Sequence, residues 1–450
     1  MEAVTANISS ITLHDPVVAK EGDSAWVMVS AAMVLLMAPG LAFFYGGLVK
    51  DTTIVNTMMM SVIAMGVISI LWALVGFSLA FGNGGPFIGN FDYVGFQQLD
   101  DELWGDTTIW SFVFATFQMT FAIIAAAIMS GSLVERVRFS AYVCFISLWH
   151  LLVYVPLCHW VWGAHGWILE MGALDFAGGT VVHISSGVSG LVASALLGPR
   201  QHLEREAKPF NVPFVLLGGG LLWFGWIGFN AGSALAADAV AARAIATTCL
   251  AAAAAMLSMI FMVRLQTQTA TSSAAMVGAV SGLVVITPAA GFVSPLGAIA
   301  MGVVASPVCF LAVTLLNKVE RLDDALDAFG LHGVGGLLGA VLTGVFALDG
   351  GLFCGGGWAL LGTQIACSVA CMAYSATMTA VIFFALRLVM RVRVHQEQEQ
   401  WLDKHAHGEE AYRGRPAKVG CEPPHGTAAG GQPSMDTASE DCAASTSDSA

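Results

Sequence analysis

The chain has 450 residues and a net charge of −13, and it is 56% hydrophobic with only 11% charged side chains. Soluble domains carry about 25% charged residues, so this composition excludes a water-exposed globule. The negative balance argues against nucleic-acid binding as the main task.

The first 24 residues contain Glu2, Asp15, Glu21 and Asp23 and lack a basic stretch followed by an apolar core, which argues against a secretory signal. They read as an extracellular N-terminal tail. Asn7-Ile8-Ser9 within it is a glycosylation sequon, a weak three-residue pattern. Apolar stretches then recur and predict eleven membrane helices at 25–48, 54–81, 109–133, 139–158, 178–197, 212–232, 239–264, 273–288, 295–316, 329–348 and 358–386. The eighth is short and ends at Pro288. Many of the 50 glycines lie inside these blocks, where small residues let helix backbones approach closely. The expected fold is all-α and polytopic: a first five-helix repeat (25–197), a cytosolic loop (198–211), an inverted second repeat (212–348) and an eleventh helix (358–386). A polar cytosolic tail follows at 387–412. From Arg413 onward Pro, Gly, Ser, Asp and Ala dominate, and 413–450 reads as disordered.

The basic residues orient this bundle. Lys50, Arg136, Arg138, Arg200, Arg205, Lys208, Arg264, Lys318 and Arg321 fall in loops on one side, with Arg387, Arg391, Arg393 and Lys404 of the tail. The other side has Lys20 and Arg243. The positive-inside rule places the N-terminus outside and the C-terminus in the cytosol, most simply at the plasma membrane. The outer loop from Gly82 to Thr108 carries Asp92, Asp100, Asp101, Glu102 and Asp106 with no Lys or Arg. It reads either as a cation-gathering vestibule or as ordinary loop solvation.

Two segments resemble each other. Asp175 leads to His183, Gly187 and Gly190, and Asp327 leads to His332, Gly336 and Gly339. They sit on the fifth and tenth helices, which run in opposite directions, as in transporters whose sites lie between inverted halves near the midplane. The glycines four and seven residues after each histidine share a helix face and permit tight packing. A membrane-buried histidine is a functional candidate by default; its plain alternative is an imidazole satisfied by a neighbouring hydroxyl or carbonyl. Metal binding lacks further ligands at suitable spacing, and no metal or other cofactor is expected. Haem held by both histidines would define a redox enzyme, but no other cofactor motif accompanies them. The nine cysteines, at 144, 158, 249, 309, 354, 367, 371, 421 and 442, form no CxxC or His/Cys cluster and read as small buried hydrophobes.

The chain resembles the ammonium transporter family (the Amt/MEP/Rh superfamily), and within it the Amt branch. The resemblance rests on Pro39-Gly40 to Leu48, Phe117-Gln118-Met-Thr-Phe121, Glu135 to Ser140, Asp175 to His183, Gly225 to Ser233, Gly282 to Gly291 and Asp323 to Gly333, in order over about 25–412. It implies a homotrimer with one pore per subunit and no enzyme activity. It further implies an outer ammonium site of Trp162, Phe117 and Ser233, a gate of Phe121 and Phe229, and a pore lined by His183, His332 and Trp226. Asp175 would hold the outer-site geometry. An ammonium ion over the Trp162 indole gains cation–π attraction, stronger when desolvated. The implied mechanism recruits ammonium, or methylammonium as an analogue, deprotonates it near the gate and conducts ammonia. Residues 397–412 are similar to the family's regulatory tail, a docking place for a cytosolic regulator. His405 stands where plant relatives carry a phosphorylatable Thr. An ammonium sensor and an Rh-type gas channel are the rival readings. Rh proteins typically add an N-terminal helix and lack the outer tryptophan, which this chain retains as Trp162.

Overall fold

The computed structural model describes residues 18–201 and 209–412. The Asn7 sequon, Arg205, Lys208 and the 413–450 segment lie outside the described residues. Eleven helices form the bundle: α1 (Glu21–Leu48), α2 (Ile54–Phe81), α3 (Ser111–Leu133), α4 (Phe139–Glu170), α5 (Gly179–Leu197), α6 (Val212–Gly232), α7 (Ala239–Thr267), α8 (Ser272–Ile286), α9 (Pro295–Leu316), α10 (Phe329–Phe346) and α11 (Ala359–Val389). Ten are long and apolar enough to cross a membrane. The fifteen-residue α8 is shorter than the roughly 30 Å hydrocarbon layer requires, and turns follow it before Ser294 caps α9 by accepting the Gly297 N–H.

Helix ends fall within a few residues of expectation except in α4, expected to stop at residue 158. There the polar His159 is absorbed instead of ending the helix. Its two ring nitrogens lie 2.8 Å from the Ala80 carbonyl and 2.6 Å from the Gly85 carbonyl. The helical path therefore carries on through Trp162, turns at Gly163–Gly166 and resumes to Glu170. Trp162 thus stands on the last full turn of this run, facing the start of α5.

On one face, polar contacts collect in the loops that carry basic residues. Arg136, wholly buried, donates to the carbonyls of Val134 (3.2 Å), Ser132 (2.9 Å) and Asp323 (2.5 Å), and its guanidinium lies 3.6 Å from the Asp323 carboxylate. Arg200 reaches the same carboxylate at 2.9 Å and Glu135 at 2.5 Å. Three loops, after α3, after α5 and before α10, are therefore tied by one set of charges. Burial pulls the Arg136 guanidinium down to about 10, so it stays protonated at neutral pH. Burial opposes charge on Asp323, but Arg136 and Arg200 outweigh it and hold the carboxyl below its usual range.

The tail completes this face. The Arg138 N–H donates to the Val392 carbonyl (2.8 Å) and the Val394 N–H to the Arg136 carbonyl (3.1 Å), a short antiparallel bridge. Arg393 pairs with Glu399 at 2.6 Å. Asp403 accepts the N–H groups of Val55 (3.0 Å) and Asn56 (2.7 Å), capping the start of α2. At the opposite face, Asp23 accepts the Thr108 hydroxyl and the Ala237 N–H (2.8 Å), joining α1 to two loops. Asp92, Asp100, Asp101, Glu102 and Asp106 are all exposed there.

Replacing Arg136 with Met leaves the Asp323 carboxylate buried with one cation fewer. Loss of one partner from a buried pair costs about 3–5 kcal/mol. The unfolding midpoint in detergent should fall clearly for Arg136→Met and less for Arg200→Met, whose side chain is 17% exposed. Equal midpoints for both variants and the parent would contradict this account of the charged face.

Candidate functional site

Both α5 and α10 open on a wide π-type turn, Gly179–Ile184 and Phe329–Gly333, and each turn carries a histidine. A helix start leaves N–H groups without partners, and here carboxylates accept them. Asp175 accepts from Gly178 (2.9 Å), Gly179 (2.6 Å), Thr180 (2.8 Å) and Val181 (3.3 Å). Asp324 accepts from Phe329 (2.7 Å) and Gly330 (3.4 Å), and from the Ser132 hydroxyl (2.5 Å). Each carboxylate lies eight positions before its histidine, 175 to 183 and 324 to 332. The counterpart of Asp175 is therefore Asp324, where Asp327 was expected. Both acceptors reach N–H groups five and six residues on, whereas Asp327 occupies the turn itself at φ 58°.

The two histidine helices cross where neither has side-chain bulk. A Cβ on Gly187 would lie 2.2 Å from the Gly333 nitrogen, and one on Gly336 would lie 2.6 Å from the Gly179 carbonyl. This close crossing brings the buried imidazoles together, with His183 Nδ1 and His332 Nδ1 3.2 Å apart. One N–H donates and the other nitrogen accepts, which requires one specific tautomer on each ring. That contact leaves no space for an iron between the rings, which removes the haem reading. Among the described residues, no three His, Cys, Asp or Glu side chains gather as a metal site. Trp226 stacks on His183 at 5.4 Å and donates its indole N–H to the Thr287 hydroxyl (2.9 Å). A narrow cavity of about 10 Å³ beside the histidines is walled by apolar side chains, among them Leu41, Phe44, Ile128, Leu222, Val280 and Leu331.

Rings continue from the histidines toward the opposite face. Phe229 lies 6.0 Å from His183, Phe121 stacks on Phe229 at 4.1 Å, and Trp162 meets Phe121 edge-on at 6.0 Å. The Trp162 indole N–H donates to the Asp175 carbonyl (2.9 Å), so the residue that caps α5 also fixes this ring. Above the Phe121–Phe229 stack lies a chamber of about 210 Å³, walled by Trp162, Ser233, Phe176, Trp104, Thr107 and Gln118, among others. The Ser233 hydroxyl proton is directed to the Phe229 carbonyl (2.9 Å), which leaves its oxygen as an acceptor. Phe117 is wholly buried, with its ring 4.8 Å from Phe121, and it stands behind the chamber wall. The wall position next to it belongs to Gln118, which the sequence reading did not single out. Its one signal there is a carboxamide in an otherwise apolar helix.

Asp175→Ala would strand four backbone donors, each lost partner costing about 1–3 kcal/mol. We expect a marked fall in the unfolding midpoint, with Asp175→Asn falling less, because its single amide oxygen can still accept two of the four N–H groups. An alanine variant as stable as the parent would show that the carboxylate does not organise α5.

The family model described as the Ammonium Transporter Family matches residues 25–412. An ammonium transporter of Bacillus subtilis is 44% identical over 402 residues, which span 87% of this chain and 98% of that protein. One from Aquifex aeolicus is 47% identical over 402 residues, 87% of this chain and 93% of that protein. The crystal structure of Saccharomyces cerevisiae Mep2 superimposes with a TM-score of 0.77 at 34% identity, covering 84% of this chain and 88% of that one. With a match that runs from α1 into the tail, this multi-pass membrane protein belongs to the ammonium transporter family.

Proposed function

We propose that the chain transports ammonium, binding it in the outer chamber and passing its nitrogen across as ammonia. The observation that carries this reading is the unbroken series of rings from Trp162 through Phe121 and Phe229 to the paired His183 and His332. A cation entering the apolar cavity would forfeit its hydration at a cost of many kcal/mol, whereas neutral ammonia would not. The Trp162 indole face and the Ser233 oxygen suit a small N–H cation. The Phe121–Phe229 stack blocks the way until the rings part, and ammonium gives up its proton there. The imidazoles offer ammonia hydrogen-bonding groups inside the dry passage, and they form a relay for the proton if it follows. K⁺ seeks several oxygen ligands, which this passage lacks.

Three further features belong to the same proposal. The face that gathers Arg136, Arg200, Arg393 and the tail is cytosolic, with the N-terminus outside and the plasma membrane as the site of action. The passage lies within a single chain, so a homotrimer would carry three independent pores. Residues 394–412, which link the loops before α2, before α4 and before α6, act as the regulatory segment on which a cytosolic regulator docks.

Two experiments test these readings. In proteoliposomes, His332→Ala should cut ammonium transport at least severalfold or admit K⁺; an unchanged rate with unchanged selectivity would count against the paired imidazoles. Trp162→Leu, tested alongside, should raise the KM for ammonium or methylammonium. Deleting 394–450 should depress transport strongly, while deleting 413–450 should leave it near the parent level. Equal rates from both truncations would refute the division of the tail.

A further inference from the structure

The buried amide side chains differ in how fully they are partnered. Gln364 accepts the Leu174 N–H (2.7 Å) and donates to the carbonyls of Leu174 (2.8 Å) and Ala340 (3.2 Å). Asn230 donates to the Thr248 hydroxyl at 2.8 Å, but its own buried carboxamide oxygen has no hydrogen-bond partner in the protein. On α3 itself, Thr120 turns its hydroxyl back to the Phe117 carbonyl (2.6 Å). Gln118 shares such an unpaired oxygen and, unlike Asn230, lines the outer chamber. It is 8% exposed, and its buried carboxamide oxygen has no hydrogen-bond partner in the protein. An unpaired buried acceptor is destabilising and calls for a specific reason. The reason lies in its position, because this side chain forms part of the chamber wall with Trp162 and Ser233.

We infer that Gln118 is a specificity-determining residue of the outer chamber, where its carboxamide oxygen accepts an N–H of the bound cation. The inference rests on the proposed ammonium site and adds one ligand to it. The terminal torsion of glutamine is broad and nearly two-fold, so the oxygen can swing into the chamber while the stem of the side chain stays in place. Ammonium then meets two neutral oxygens, from Gln118 and Ser233, and the indole face of Trp162. This set uses three of its four N–H donors. Methylammonium has three N–H groups and can satisfy all three acceptors if its methyl takes the fourth direction. Dimethylammonium has two, so one acceptor goes without a partner. An alkali ion gains only two oxygens in exchange for its hydration shell. Within this chamber the amide thus favours cations with three or more N–H bonds over those with fewer. Neutral acceptors also hold the cation less tightly than a carboxylate would, which favours onward release.

The test compares initial rates of ammonium uptake in proteoliposomes over a range of concentrations for the parent, Gln118→Met, Gln118→Glu and Trp162→Leu. Gln118→Met keeps the length and apolar stem and removes the acceptor. Its KM should rise roughly tenfold, the scale of one hydrogen bond to a charged group, while the maximal rate changes little. Gln118→Glu adds charge at the same reach and should lower the KM below the parent's. A residue that only filled space would not shift KM in opposite directions in these two variants. A KM equal to the parent's in both, with Trp162→Leu still raised, would overturn the role of Gln118 and leave the outer site standing. Unchanged KM in all three would overturn the outer site itself. A lowered maximal rate at constant KM in Gln118→Met would also overturn the inference. If Gln118→Met does not reach the membrane, the direction of the Gln118→Glu shift decides alone.

Discussion

The contact between His183 and His332 is the constraint to which the rest of the bundle conforms. Two imidazoles inside an apolar interior are costly, and here each ring supplies one partner to the other at 3.2 Å, while the His183 Nε2 has none in the protein. Meeting at that distance requires two helices to cross almost backbone to backbone, which is what Gly187 against Gly333 and Gly336 against the Gly179 carbonyl achieve. It also requires each histidine to sit at a fixed height. Asp175 and Asp324 set that height by tying down the first turn of each helix. The two halves thus use the same device, a carboxylate at one end and a glycine face at the other, with the imidazole between them.

Charge is kept away from this centre and spent at the two faces. Arg136 is buried, yet three carbonyls and a carboxylate surround it, so its positive charge is neutralised where it lies. Together with Arg200 it ties the loops that lead into α4 and α10 and out of α5. The positions of the histidine helices are therefore held from one face by ion pairs and from the opposite face by Asp175, whose carbonyl also secures Trp162. Between these anchors the walls are apolar or aromatic, and the one side chain that breaks this rule without a protein partner beside the chamber is Gln118.

Most of the helices were legible because apolar blocks end at glycine, proline or charge, and because basic residues alternate sides as a bilayer demands. The histidine pair was legible from its repeat. The far end of α4 was not, since His159 looks like a terminus unless one knows that two distant carbonyls face it. The register of the repeat also slipped. Asp323, Asp324 and Asp327 all precede His332, and only backbone hydrogen bonds show that Asp324 matches Asp175. Gln118 lay inside a quoted motif, but a glutamine's partners cannot be read from sequence, and the aromatic neighbour Phe117 drew the attention instead. Which of two adjacent residues faces a chamber depends on helix rotation, and that is fixed by packing across the whole bundle.

The tail's hold on α2 has a consequence for how a signal arriving at the tail could reach the bilayer. Asp403 serves as the cap of a transmembrane helix from nearly 350 residues away in the chain, so lifting the tail off uncovers the Val55 and Asn56 amides in the same motion. Detachment and fraying of that helix become a single thermodynamic event. Anything that grips the tail therefore pulls directly on the secondary structure of the membrane domain, with no intermediate part to wear loose.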